Sequence, residues 1–220
     1  MNPVANMLNV YFIAGTQDFR HVDGDRSRAL LDCLERALQQ GISCFQLREK
    51  GGQALQDKAQ IEALALACRD LCRRHQVPFF INDDVALALQ TDADGVHVGQ
   101  EDMPVQDAVA LCRGRLMLGL SVNTLAQAQH FDGMAGIDYF GVGPVFATRS
   151  KADAKAVAGP ALLAQIRAAG IRKPLVGIGG IHGGNADQVY QAGADGVAVI
   201  SAIAQAADMA AAIRQLKGKS

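Results

Sequence analysis

Short apolar runs recur along this chain, and between them apolar residues return at spacings of three and four. The first run is Leu8-Asn9-Val10-Tyr11-Phe12-Ile13-Ala14, ending at Gly15-Thr16-Gln17-Asp18, where a loop begins. A polar stretch through Gly24 then leads to Arg28–Leu38, whose apolar spacing predicts an amphipathic helix. Gly41 lies just past it, as a glycine at a helix C-terminus should. The same alternation continues with strand 44–48, helix 54–75, strand 79–82, helix 85–90, strand 95–98 and helix 104–112, with Pro104 where a first turn tolerates proline. Strand 116–121, helix 125–131, strand 137–142 and helix 160–169 follow. Strand 175–179, helix 186–192, strand 196–200 and a last amphipathic helix from about 204 to 216 complete the pattern.

These are eight strand–helix units. The strands are apolar throughout rather than alternating, the pattern of a parallel sheet covered on both faces. Gly41, Gly170 and Gly193 each close a helix shortly before the next strand. The expected fold is therefore α/β, a single-domain (β/α)₈ TIM barrel over residues 1–220. An open doubly wound sheet competes, but it would normally stop at five to seven strands and place a glycine-rich turn after the first. Gly15-Thr16-Gln17 is not that turn. No linker, low-complexity tract or shift in composition divides the chain.

Composition narrows the function classes. The chain has 220 residues, is 50% hydrophobic and carries a formal net charge of −1. It has no basic run to neutralise a phosphate backbone, so no nucleic-acid partner is expected. No apolar segment approaches the roughly 20 residues that span a bilayer, and Met1 to Asn9 lacks the layout of a signal peptide. The expectation is a soluble, cytoplasmic protein acting on small molecules; a homo-oligomer is compatible, and the sequence leaves the oligomeric state open. The cysteines, Cys33, Cys44, Cys68, Cys72 and Cys112, are odd in number and lack a secretory context, against a disulfide framework. Cys68 and Cys72 share a helix face, where a metal pair is conceivable, but no further ligand stands at suitable spacing; reduced, packed thiols are expected.

In a TIM barrel, chemistry projects from the C-terminal ends of the strands, and there the polar residues of this chain gather. They are Gln46-Leu47-Arg48-Glu49-Lys50, Asn82-Asp83-Asp84, Gln100-Glu101-Asp102, Ser121-Val122-Asn123-Thr124, Thr148 to Lys151, Gly179-Gly180 and Ser201. Asp83 and Asp102 follow adjacent strands and can converge on one hard cation such as Mg²⁺, which takes one or two carboxylates and completes its shell with water and phosphate oxygens. They are also readable as loop-starting or capping acids, a role that suits Asp84 better than Asp83. Arg48, Lys50 and Lys151 could grip a diphosphate beside them. Gly177-Ile178-Gly179-Gly180-Ile181 and Val199-Ile200-Ser201 have the small residues of a phosphate cradle, or of a plain tight turn. The polar loop Gly143 to Asp153 is an anion holder or a solvated surface loop on its own composition. His97 is expected to be a hydrogen-bonded barrel residue; His182 is the other histidine near the rim, and no general base stands out. Departure of a diphosphate, rather than proton abstraction, would suit such a site.

These same segments carry a resemblance. Gln46-Leu47-Arg48-Glu49-Lys50, Ile81-Asn82-Asp83, 95–102 (Gly-Val-His-Val-Gly-Gln-Glu-Asp), 143–151 (Gly-Pro-Val-Phe-Ala-Thr-Arg-Ser-Lys) and Gly177-Ile178-Gly179-Gly180-Ile181 resemble, in order and over nearly the whole chain, the thiamine-phosphate synthase family. The resemblance implies joining of a hydroxymethylpyrimidine diphosphate to a thiazole phosphate, with Mg²⁺ as cofactor and pyrophosphate leaving first. It implies that Gln46, Leu47, Arg48, Glu49, Lys50, Asn82, Ser121 and Lys151 hold the pyrimidine diphosphate, with Arg48, Lys50, Ser121 and Lys151 at the leaving group. Asp83 and Asp102 would ligate Mg²⁺. Thr148, Arg149, Ser150, Gly180, Ile200 and Ser201 would hold the thiazole phosphate. The polarity of the 143–153 loop, with Gly143 and Gly159 beside it, suggests that it closes to keep water from the reacting cation. The chain departs from the family pattern in three places: Asn123 stands where histidine is common, Gly177 where alanine is usual, and Ala14-Gly15-Thr16-Gln17 intervenes before Asp18. Two other readings compete, a thiazole tautomerase of the same fold and a non-catalytic phosphate sensor; neither needs Lys50, Asp83, Asp102 and Lys151 together.

Overall fold

The computed structural model describes residues 3–148 and 156–218. Eight parallel strands close into a barrel in sequence order, with the first paired to the last. They are β1 (Val10–Ala14), β2 (Cys44–Leu47), β3 (Phe79–Asn82), β4 (Gly95–Val98), β5 (Met117–Val122), β6 (Tyr139–Val142), β7 (Leu175–Ile178) and β8 (Gly196–Val199). The helices are α1 (Pro3–Met7), α2 (Arg26–Gln39), α3 (Lys58–Arg74), α4 (Val85–Gln90), α5 (Val105–Cys112), α6 (Leu125–Asp132), α7 (Gly159–Ala168), α8 (Ala186–Gln191), α9 (Ser201–Ala204) and α10 (Met209–Leu216). No helix among the described residues is long and apolar enough to cross a membrane. All five cysteines are buried and unbridged; burial pushes the Cys33 and Cys112 thiols up to about 11 and Cys72 further.

Three elements differ from the expected pattern. The five residues of α1 are too few to show a helical period; Met7 and Leu8 pack into the barrel beneath Tyr11 and Phe80 and close its lower end. The second long helix starts at Lys58, not Ala54, because Asp57 caps it by accepting from Gln60 N at 2.9 Å. The last helix is two: α9 ends before Asp208, which caps α10 through Ala211 N at 2.9 Å.

Two apolar layers form because successive strand residues face opposite ways. One face of each strand packs on the helices, in the larger cluster that holds Phe12, Phe45, Leu47, Phe79, Val96 and Leu118. The other fills the barrel with Tyr11, Ile13, Cys44, Phe80, Tyr139, Val176 and Ala198. The interior is tight because glycines lie beside rings. A Cβ at Gly119 would stand 2.2 Å from the Tyr139 ring and 2.5 Å from the His97 ring. Overpacking of this kind typically costs about 1–3 kcal/mol. Gly119→Ala is therefore expected to lower the melting temperature measurably.

A clasp is repeated four times at the lower end. The residue before each even-numbered strand, Ser43, Asp94, Asp138 or Asp195, accepts from the N–H of a residue at the start of the preceding odd strand. The donors are Val10, Phe79, Leu118 and Leu175, at 2.8, 2.8, 2.7 and 2.8 Å. Each clasp residue also donates its own N–H back to that residue's carbonyl, at 2.8–2.9 Å. Two residues earlier the backbone turns through positive φ, at Gly41, Asp92, Gly136 and Gly193. The fold is thus built from four strand pairs, each tied by the same side-chain bond. Arg167 on α7 reinforces the last of them: it donates to the carbonyls of Gly193, Ile171 and Lys173 and to Asp195 Oδ2 at 2.6 Å.

Candidate active site at the C-terminal rim

Three ionic side chains from three loops meet at the upper rim. Lys50, just past β2, places Nζ 2.6 Å from Asp83 Oδ2 and 3.1 Å from Asp102 Oδ1. Asp83 is the first residue after β3 and holds φ at 63°, a left-handed conformation that aspartate and asparagine adopt more readily than most residues. Its N–H extends the ladder to His97 O at 2.8 Å, which fixes the backbone that presents the carboxylate. Asp102 turns back over Gly99 and accepts from its N–H at 2.9 Å, where a Cβ on Gly99 would stand 2.5 Å from the carboxylate. Asp84 caps α4 by accepting from Leu87 N, as its capping reading anticipated.

Burial holds Asp83 above the usual carboxylate range despite Lys50 beside it. Burial also acts to raise Asp102, but hydrogen bonds from Lys50 and Asp83, the Lys50 charge and the Gly99 N–H bring it below that range. Burial works to lower Lys50, and the two acids outweigh it, so the ammonium is held above its ordinary value. The pair therefore splits, with Asp83 the better proton holder. Among the described residues no three His, Cys, Asp or Glu side chains group as a metal site. A hard cation here would rest on these two carboxylates, and the pinning of both around one ammonium shows that their oxygens converge on a single positive centre.

The segment after β2 alternates. Gln46 and Arg48 are buried on the barrel side, while Leu47 lies in the helix–sheet layer. The sequence groups Leu47 and Glu49 with the substrate-holding residues; here the Leu47 side chain packs in the helix–sheet layer and the Glu49 side chain turns to the loop after β1. Glu49 accepts from Thr16 N at 2.6 Å, Thr16 Oγ1 at 2.7 Å and Leu55 N at 2.8 Å, tying the β1 and β2 loops together. Its neighbours Arg48 and Lys50 are thereby held in register. Glu49→Ala leaves the Thr16 and Leu55 donors without this partner. Its expected effect is a rise in KM for the anionic substrate of about tenfold, since a positional slip at a site costs that much or more; steady-state kinetics with a melting curve as control would check it.

A hydrogen-bonded chain crosses the barrel below this rim. Gln46 Nε2 donates to Tyr11 OH at 2.8 Å; Tyr11 OH and Tyr139 OH are 3.1 Å apart; Tyr139 OH lies 3.0 Å from His97 Nδ1; and His97 Nε2 lies 2.9 Å from Ser121 Oγ. His97 is thus the hydrogen-bonded barrel residue that its strand position predicted. Tyr11 and Tyr139 escaped sequence reasoning. The only signal was a hydroxyl-bearing ring at an inward strand position, and inward became definable only once the barrel closed. Burial pushes both phenols well up, so they stay neutral. Asn82 ends β3 opposite His97, which in turn pairs with Gly119 on β5.

The chain leaving β6 is docked on the loop after β7. Val145 N donates to Ile178 O at 2.8 Å and Phe146 N to Gly179 O at 2.9 Å. Gly179 and Gly180 have φ of 101° and 63°, and a Cβ on Gly180 would stand 2.5 Å from Ala147 O. Asn123 Nδ2 donates to Gly143 O, so the residue that departs from the family pattern anchors the base of the same loop. Thr148 is half-buried where this described segment ends; Arg149, Ser150 and Lys151 lie outside the described residues. Ile200 is buried directly after β8, and Ser201 opens α9 beside it.

A closed parallel barrel whose upper rim carries paired acids, cations and glycine loops is the arrangement of a TIM-barrel enzyme acting on small molecules. Residues 10–203 match the family described as thiamine monophosphate synthase. Thiamine-phosphate synthase of Pasteurella multocida (strain Pm70) is 53% identical over 220 residues, covering 100% of both chains. That of Helicobacter pylori (strain J99) is 54% identical over 212 residues, covering 96% of this chain and 97% of its own. Among solved structures, thiamine phosphate pyrophosphorylase from Pyrococcus furiosus superposes with a TM-score of 0.80 at 32% identity, covering 97% of this chain and 95% of that one. The chain belongs to the thiamine monophosphate synthase family, and it is a transferase of thiamine biosynthesis.

Proposed function

We propose that this rim joins 4-amino-2-methyl-5-(diphosphooxymethyl)pyrimidine to a thiazole phosphate, giving thiamine phosphate and pyrophosphate. The observation that carries the reading is the convergence of Lys50, Asp83 and Asp102 from three loops. The C–O bond between the pyrimidine methylene and the diphosphate breaks first, and its electron pair leaves on the diphosphate oxygen. The thiazole nitrogen then supplies the pair that forms the new C–N bond. Arg48, Lys50, Ser121 and Lys151 hold the departing diphosphate, where preorganised donors stabilise charge as it develops. Gln46 and Asn82 orient the pyrimidine. Thr148, Arg149, Ser150, Gly180, Ile200 and Ser201 hold the thiazole phosphate at the other side of the rim. Water must be kept from the carbon between departure and capture, a task this reading assigns to the 143–153 loop. Asp83 and Asp102 would hold Mg²⁺, which when bound neutralises charge on the leaving diphosphate.

The test is incubation of the full chain with both substrates and Mg²⁺, assaying pyrophosphate and thiamine phosphate together. Equimolar release of both is expected, and chelation of divalent metal should reduce it to background. Product formed at full rate with metal chelated would remove Mg²⁺ from the reading, and no product at all would remove the reaction.

A further inference from the structure

The Lys50 ammonium sits on the two acids assigned to the metal, 2.6 Å from Asp83 Oδ2 and 3.1 Å from Asp102 Oδ1. The three partners are not equally movable. Asp83 is held through its backbone bond to His97 O and its left-handed conformation, and Asp102 by the Gly99 N–H. The Lys50 side chain is 37% exposed, on a flexible four-carbon stem. A divalent cation on these carboxylates would approach their oxygens to about 2.0–2.1 Å and repel an ammonium bonded to the same groups. The two cations therefore compete for the same pair of carboxylates.

We propose that Lys50 is a resident counter-ion exchanged for the divalent metal. The ammonium neutralises the acid pair until the metal binds, then swings off it and becomes a donor to the diphosphate. Metal binding thereby creates part of the diphosphate site, and the two ligands are coupled through one side chain. Because coupling is reciprocal, the diphosphate in turn favours the metal by drawing Lys50 away. This rests on the reading of Asp83 and Asp102 as metal ligands given above.

The experiment titrates the full chain with Mn²⁺ alone, following free Mn²⁺ by electron paramagnetic resonance, for the wild type, Lys50→Met and Lys50→Arg. Methionine keeps the stem and removes the competing charge, so its Kd for Mn²⁺ should tighten by about tenfold, within the usual range for coupled sites. Arginine keeps the competitor and should bind Mn²⁺ much as the wild type does. In a second readout, acylation of Lys50 by a small anhydride, followed by mass spectrometry, should accelerate several-fold when Mg²⁺ is added, and Asp83→Asn should abolish that acceleration. Unchanged or weaker Mn²⁺ binding by Lys50→Met, beside clear binding by the wild type, would overturn the exchange while leaving the metal assignment standing. Failure of all three proteins to bind Mn²⁺ would remove the metal assignment and the exchange with it.

Discussion

Replacing Asp83 with asparagine is expected to lower kcat/KM by about 10²–10³-fold, the usual loss when one charge-stabilising group leaves a preorganised site. Asparagine is the right probe because the residue sits at φ 63°. Alanine there would add left-handed backbone strain of about 1–2 kcal/mol and mix a stability effect into the kinetics. Asparagine tolerates the conformation and keeps the side chain's shape while removing its charge. Asp83 is a rim residue outside both apolar clusters, so the melting temperature should move little. Steady-state kinetics with saturating thiazole phosphate and a parallel melting curve would decide it. Wild-type turnover in this variant would separate Asp83 from the chemistry; a collapsed melting curve would mean that its role is structural.

The largest stability effect is expected at the other end of the barrel. Arg167 donates to three loop carbonyls and to Asp195, whose Oδ2 also accepts from Leu175 N. Arg167→Ala leaves three carbonyls and a carboxylate short of a donor in a region where Arg167 is only 20% exposed. Charged hydrogen bonds contribute about 1.5–3 kcal/mol each when lost singly, and solvent reaches part of this cluster, so a total of about 3 kcal/mol is expected. For a domain of this size that lowers the melting temperature by roughly 6–12 °C. Arg167→Lys should recover only part of it, since an ammonium cannot reproduce the planar fork. Activity per folded molecule at low temperature should stay near wild type, because the clasp lies at the end of the barrel opposite Lys50, Asp83 and Asp102. An equal loss of kcat would show that the two ends are coupled.

Much of the architecture was legible in order. All eight strands fall inside or within a residue of their predicted spans, because a short apolar run between helices has few other ways to bury itself. The expected rim also emerged, since Lys50, Asp83 and Asp102 follow strands two, three and four and a closed barrel brings those ends together. Less legible were the features set by direction. Leu47 and Glu49 stand in the same motif as Arg48 and Lys50, and one step along a strand reverses the facing. The Glu49 side chain therefore braces the loops after β1 and β2. The clasp acids Asp94, Asp138 and Asp195 looked like ordinary turn residues, since their partners lie 15–20 positions away in the chain.

The sequence by itself determined the period of the fold, the number of its units and the residue types collected at one end of the strands. Those depend on local burial and on where polar residues interrupt it. Only the tertiary structure decided which of those residues touch. Tyr11, Tyr139, His97 and Ser121 come from four strands and join in one chain only when the barrel closes. Lys50 meets two acids 33 and 52 positions away for the same reason. Such contacts depend on register and facing, which no local pattern records.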